Sequence, residues 1–213
     1  MLDKSLPYHN INMRADADAI ARITMPQLPP DYTFRLFQLG DETHWARIET
    51  SVGEFETEAD ALSYFQERYL PKLPDLQERC VFIVSPEGLP IATAIAWFSL
   101  PDRDYQAMLH WVAVCPDHQG LGLGKALTQR VLYLFKQFAP NQAVWLHTQT
   151  WSHVAVKCYH SFGFNVVTTD SYVRDTASMT TYTNDFPANM EVLKQVMPTE
   201  YVDGLIATAI ALP

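Results

Sequence analysis

The sequence predicts a mixed α/β domain in which helices flank one central twisted sheet. Three observations predict it. Short runs rich in β-branched and aromatic residues alternate with segments whose apolar residues recur at steps of three and four. The order of these segments is strand, two helices, three strands, helix, strand, helix, strand. The 213 residues, 48% hydrophobic and 18% charged, suit one substantial globular domain with additions rather than a disordered chain.

The elements follow in order. Residues 1–30 carry acids, no apolar leader-like core, and a closing MPQLPP, so they read as an N-terminal extension and extended linker without chemistry. Within them ADADAIARI fits a strand or a short helix equally well. Residues 32–39 (YTFRLFQL) predict a first strand that Gly40 and Asp41 end, with Asp41 capping a helix that carries Trp45 and Ile48. Thr57 and Asp60 resemble a capping box with the shorter acid, opening a second helix with Ala61, Leu62, Phe65 and Tyr69 at helical spacing. Pro71 and Pro74 are expected to end it.

Residues 79–85 and 91–98 predict a hairpin about Pro86-Glu87-Gly88. Ala92, Ala94 and Ala96 alternate along its second strand, so one face could accept a bulky group. Residues 99–106 form a polar loop. Residues 109–114 (LHWVAV) predict a buried strand, and Pro116 ends it. Residues 119–124 then open a helix carrying Leu127, Val131, Leu134, Phe135 and Phe138, with Pro140 as its stop. A strand over 143–148, a helix from Ser152, strands over 164–169 and about 179–183, and a helix over 190–197 complete the domain. The apolar tail 204–212 is far too short to span a bilayer and reads as buried or dimer-facing.

The charge and cysteines narrow the function classes. A net charge of −9 excludes a sequence-independent nucleic-acid role, which needs a basic footprint, and is compatible with a cationic substrate such as an amine. Three cysteines, Cys80, Cys115 and Cys158, lack metal-type spacing. They fit a reducing cytoplasm better than structural disulfides, and no metal site is expected.

Strand, glycine-rich loop and helix form the arrangement that aims several backbone N–H groups at one point. The first helical turn has donors without intrahelical acceptors, its dipole favours negative charge, and glycines let a phosphate approach. Residues 119–125 therefore predict a pyrophosphate site. A P-loop is excluded, because Ala126 follows Lys125 and Gln119 stands five residues before Gly124. A dinucleotide GxGxxG is excluded too, because Lys125 and Leu127 stand at the third-glycine positions.

What fits is Q-x-x-G-x-G, with Gln119, Gly122 and Gly124 after V-A-V-C-P. This resembles the acetyl-CoA motif of the GNAT superfamily of acyl-CoA-dependent N-acyltransferases. Ala155, Tyr159, Gly163 and Phe164 match that family's NxxAxxxYxxxGF signature, with Ser152 in place of the usual asparagine and still a good N-cap. Together the motifs cover residues 109–164, about a quarter of the chain.

The resemblance implies a mostly antiparallel sheet whose fourth and fifth strands, here 108–114 and 143–148, splay apart around the cofactor. It implies a catalytic domain over 31–186 and a C-terminal extension over 187–213 packing on it or on a dimer partner. The implied activity is transfer of an acetyl group from acetyl-CoA to a primary amine of a small molecule or peptide by direct attack. The alternative is a CoA-binding regulatory module without catalysis. For the cofactor it implies Val112, Ala113 and Val114 against the pantetheine arm, with the N–H of Val112 as oxyanion donor. Gln119, Gly120, Leu121, Gly122, Leu123, Gly124 and Lys125 are implied at the pyrophosphate.

Tyr159 is implied as the acid for the leaving thiolate. The strand carries no glutamate, so His110, on one face with Val112 and Val114, is the first candidate base and His147 the second. The resemblance also implies Trp45, Glu54, Phe55 and Tyr69 as contacts for the acceptor. Cys115 and Cys158 lack the histidine context of a covalent mechanism.

Overall fold

The structure, a computed structural model, describes residues 2–99, 106–168, 173–175, 180–182 and 184–211. Its main sheet has seven strands in the order β2-β3-β4-β5-β6-β1-β7. The strands are β1 (Asn10–Ala15), β2 (Thr33–Leu36), β3 (Cys80–Val84), β4 (Pro90–Ser99), β5 (Gln106–Val114), β6 (Val144–Gln149) and β7 (Phe164–Val166). The pairs β2/β3, β3/β4, β1/β6 and β1/β7 are antiparallel, and β5/β6 is parallel. This is the mostly antiparallel sheet that the family resemblance implies. Two short strands, β8 (Val173–Asp175) and β9 (Thr180–Tyr182), form a separate antiparallel pair. The predicted loop over 99–106 falls largely outside the described residues, as do Thr169, Met179 and Thr183 from the predicted later strands.

The chain divides into two compact units. The first comprises Thr24–Trp97 and Leu109–Gln137, the second Leu2–Ile23, Phe98–Met108 and Phe138–Pro213. In the first unit, helices α2 (Glu42–Val52), α3 (Glu58–Arg68), α4 (Leu73–Arg79) and α5 (Leu123–Phe138) accompany β2, β3 and β4. Trp45, Ile48, Phe65, Leu76, Phe82, Ile83 and Phe135 are among its fully buried side chains. Burying such residues stabilises by about 1.5–3 kcal/mol each before entropy is counted. Every described side chain of β4 from Ile91 to Phe98 is buried, so the alanines that alternate there lie within a strand covered on both faces rather than on an open one.

Local chemistry explains most of these helix ends, with two departures from expectation. Asp41 precedes α2 but its side chain does not cap the helix. Its carboxylate instead takes two bonds from the Arg35 guanidinium, at 2.6 and 2.9 Å, and one from the Gln38 N–H at 2.7 Å. Thr57 does cap α3, accepting from the Asp60 N–H at 3.1 Å while its hydroxyl donates to the Asp60 carboxylate at 2.6 Å. Pro74, expected only as a stop, sits in the first turn of α4, where a missing N–H costs nothing. Gly53 closes α2 in the left-handed region at φ 91°.

In the second unit part of residues 1–30 is built into the main sheet. Asn10–Ala15 is an inner strand, β1, paired to β6 on one side and β7 on the other. Ala17–Ala21 follows as the short helix α1. The ambiguous ADADAIARI period thus spans a strand end and a helix. Helix α6 (His153–Ser161) begins after Ser152, whose side chain makes no cap bond, in contrast to the expected cap. Helices α7 (Phe186–Val196) and α8 (Thr199–Ala207) follow. The tail folds back, with the Ile210 N–H bonded to the Val166 carbonyl at 2.8 Å and Leu205 fully buried.

Candidate active site

The first unit holds the phosphate-type loop. Strand β5 ends at Val114, and the Cys115 N–H donates to the Ile91 carbonyl at 2.8 Å. Residues Pro116–His118 make one tight turn. The Gln119 side-chain amide then reaches back and donates to the Val114 carbonyl at 2.8 Å, tying the loop to the strand end. Its amide nitrogen braces the loop, a role the spacing alone did not reveal. Gly120 and Gly122 lie at φ 80° and 77°, where an L side chain is strained. A Cβ at either would meet nothing within 4 Å, so backbone conformation, not lack of room, demands glycine there. Helix α5 starts immediately afterwards, with the Ala126 N–H on the Gly122 carbonyl at 3.1 Å.

Leu123 is fully buried as the anchor of that first turn, whereas Leu121 and Lys125 are exposed. Open space before two left-handed glycines and a first helical turn fits an anionic group such as a pyrophosphate. Val112 is half-buried, and Ala113 and Val114 are buried, in the strand that leads into the loop.

Strand β5 is not regular. Trp111 has φ 53°, a left-handed residue inside a strand, which breaks the two-residue alternation. The shared face expected for His110, Val112 and Val114 therefore does not follow from parity. The β5/β6 register covers Ala107↔Val144 and Met108↔Trp145, both before the break.

His110 has a defined partner. Its Nδ1 lies 3.0 Å from the Tyr69 hydroxyl. Tyr69 is 1% exposed, and burial, with Tyr64 adding to it, holds its hydroxyl well above the ordinary tyrosine range. It stays a phenol at neutral pH, able to donate to Nδ1 or accept from it.

Around this pair stands an aromatic wall. Trp45 contacts Phe55, Tyr64, Phe65, Tyr69 and Trp111, with ring centroids 4.9–6.4 Å apart. Phe55, Tyr64 and Trp111 are half-buried and touch one another at 5.3–5.5 Å. Glu49, one turn beyond Trp45, is buried with its Oε1 lacking a hydrogen-bond partner. Burial, reinforced by Glu54, pushes its carboxyl well above the usual carboxylate range. The resemblance points to Trp45, Glu54, Phe55 and Tyr69, and the wall adds Glu49, Tyr64 and Trp111 to them. An acid falling four residues after Trp45 on an apolar helix face was the available signal for Glu49.

Cys115 lies near the same helix, its sulfur 3.6 Å from Arg47 Nη1 and 3.7 Å from Ser51 Oγ, while Arg47 also donates to the Pro90 carbonyl. Among the described residues no group of His, Cys, Asp and Glu could hold a metal ion.

Tyr159 and His147 lie in the second unit. Tyr159 is 7% exposed on α6, its ring 6.2 Å from Phe164. Gly163, at the end of that motif, has φ 88°, and a Cβ there would stand 2.8 Å from the Ala19 Cβ. His147 Nε2 lies 2.7 Å from Asn10 Oδ1, and desolvation lowers its pKa from 6.5 to about 4. So low a value makes His147 a weak base near neutrality, which removes the main argument for it as second candidate.

Residues 40–164 match the Acetyltransferase (GNAT) family. The chain belongs to the GNAT family. The matched span holds the glycine loop, the aromatic wall and the Tyr159 motif. A mycothiol acetyltransferase of Rothia mucilaginosa (strain DY-18) is 28% identical over 165 residues, covering 72% of this chain and 47% of that protein. This GNAT chain thus spans about half the length of that relative.

Two solved structures share the fold. A GCN5-related N-acetyltransferase from Sphaerobacter thermophilus aligns with TM-score 0.59 at 20% identity, over 75% of this chain and 49% of that one. A GNAT-family acetyltransferase from Colwellia psychrerythraea aligns with TM-score 0.54 at 12% identity, over 75% and 54%.

Proposed function

We propose that this GNAT chain transfers an acetyl group from acetyl-CoA to a primary amine of a small molecule or peptide by direct attack. The observation that carries the proposal is the loop at the end of β5, with two left-handed glycines, a side-chain brace to the strand and an open helix start. The backbone N–H groups of residues 120–125 hold the pyrophosphate. Val112, Ala113 and Val114 line the pantetheine arm, offering main-chain groups as an added strand would. The Val112 N–H donates to the thioester oxygen as charge develops there.

Each proton has a place in this scheme. With His110 Nδ1–H donating to Tyr69, Nε2 carries the lone pair that takes a proton from the acceptor ammonium. The amine nitrogen bonds to the carbonyl carbon and the C–S bond breaks. Tyr159 gives its phenolic proton to the departing sulfur and regains one from the new amide nitrogen. The net result is one proton released. Three cysteines without metal-type spacing suit a reducing, cytoplasmic setting.

The first test is thermal stability with acetyl-CoA, CoA and NAD in parallel. Acetyl-CoA at a hundredfold excess over its Kd adds about 2.7 kcal/mol, and NAD adds nothing. Amine-dependent release of free thiol then tests transfer. No stabilisation by either CoA species sinks the proposal.

A further inference from the structure

The aromatic wall of the first unit holds a buried acid that its own residues do not answer. Glu49 shares the buried face of α2 with Trp45, one helical turn away. It is 1% exposed, and neither its Oε1 nor the Trp45 Nε1 has a hydrogen-bond partner. Buried carboxyls are ordinarily paired or fully hydrogen-bonded. Around the Trp45 ring Phe55, Tyr64 and Trp111 remain half-buried, with ring centroids 5.5–6.3 Å from it. Arg68 already lies over the Tyr64 ring at 5.8 Å, so this is aromatic surface that a cation can use.

We propose that Glu49 and the rings of Phe55, Tyr64 and Trp111 select the acceptor, Glu49 receiving the ammonium of an amine whose apolar or aromatic body lies on the rings. The proposal rests on the amine-acetylating role above and names its substrate class. A primary ammonium brings the donors that Glu49 Oε1 lacks and the counter-charge that lets the acid ionise in place, and ring faces add attraction for it. A flat apolar body covers the partly exposed rings. A polyhydroxylated amine such as an amino sugar would set its hydroxyls against rings that cannot bond them, which costs affinity. The net charge of −9 favours the approach of cations over anions.

The test uses the purified chain without acetyl-CoA and follows tryptophan fluorescence, since Trp45 and Trp111 belong to the wall. Benzylammonium is titrated beside benzyl alcohol, its neutral counterpart, and glucosamine, a hydrophilic amine. The expected result is benzylammonium binding at least about tenfold more tightly than either. Glu49→Gln should reduce benzylammonium to the level of benzyl alcohol, and Glu78→Gln, at an exposed acid of α4, should leave the preference in place. Should Glu49→Gln not fold, Glu49→Met, close in volume, takes its place.

Three results overturn the proposal: equal binding of cation and alcohol to the wild type, binding of neither, or a preference that survives loss of Glu49. The wild-type comparison alone suffices for the first two. Because binding is read without a thioester, benzylammonium binding without acetyl-CoA stabilisation would overturn only the transferase role. Acetyl-CoA stabilisation with no cation preference would overturn only the role of Glu49.

Discussion

Gly122 and Tyr159 sit in motifs that local spacing makes visible, and each supports a prediction at the scale of one side chain. Gly122→Ala puts a Cβ on a residue at φ 77° with open space around it. The cost to stability is about 1 kcal/mol from conformation alone. Acetyl-CoA affinity should fall about tenfold by calorimetry as the loop relaxes. Tyr159→Phe should keep the acetyl-CoA stabilisation while kcat for thiol release falls roughly a hundredfold; an unchanged kcat would remove Tyr159 as the acid. Gln119, Gly120 and Gly122 were legible because a strand–loop–helix turn is decided within a dozen residues. Glu49 was not, since nothing in the local sequence says that the face bearing it meets a wall of rings.

At the scale of elements, the junctions carry the information that periodicity lacks. Asp41 looked like a helix cap and proved to be the partner of Arg35, its side chain only 9% exposed in that pair. Asp41→Asn should cost about 1–3 kcal/mol in urea unfolding, because it leaves the Arg35 guanidinium without its carboxylate. A mere cap would cost nearer 1 kcal/mol.

The turn between α6 and β7 offers a sharper comparison. Gly163 and Gly88 have φ 88° and 83°, but only at Gly163 would a Cβ collide, 2.8 Å from Ala19. Gly88→Ala should cost about 1 kcal/mol and Gly163→Ala clearly more. Equal losses would mean that α1 yields freely. In this chain the clash gives Gly163 a reason that lies in residue 19 and not in its neighbours along the chain.

For the whole molecule, pH is the most informative variable. Native His147 is held neutral by desolvation, with its pKa lowered from 6.5 to about 4. The unfolded chain protonates it first, so its contribution is full above pH 6.5 and is lost as pH falls towards 4. The loss amounts to about 3 kcal/mol. Glu49 runs the other way. Its folded pKa is raised by burial, so stability is lost as pH rises above 4.5 through the folded value. Between pH 4.5 and 6.5 the two slopes oppose each other, so Glu49→Gln should expose the acid limb set by His147, and His147→Gln the loss on the alkaline side set by Glu49, in melting temperature against pH. An acid limb unchanged by His147→Gln would mean that the histidine charges freely in the native state.

The sequence by itself determined the fold class, the strand–loop–helix centre and the family motifs, because periodicity, glycine conformation and helix-end chemistry act between neighbours in the chain. Tertiary structure decided what depends on distant partners. Residues 10–15 became an inner strand because β6 and β7 offered it edges on both sides. Trp111 left the regular strand at φ 53° while its indole joined Phe55, Tyr64 and Trp45. Glu49 became a buried acid because α2 turned it inward with Trp45. Burial and pairing are properties of what a residue meets, and a sequence orders only the neighbours along the chain.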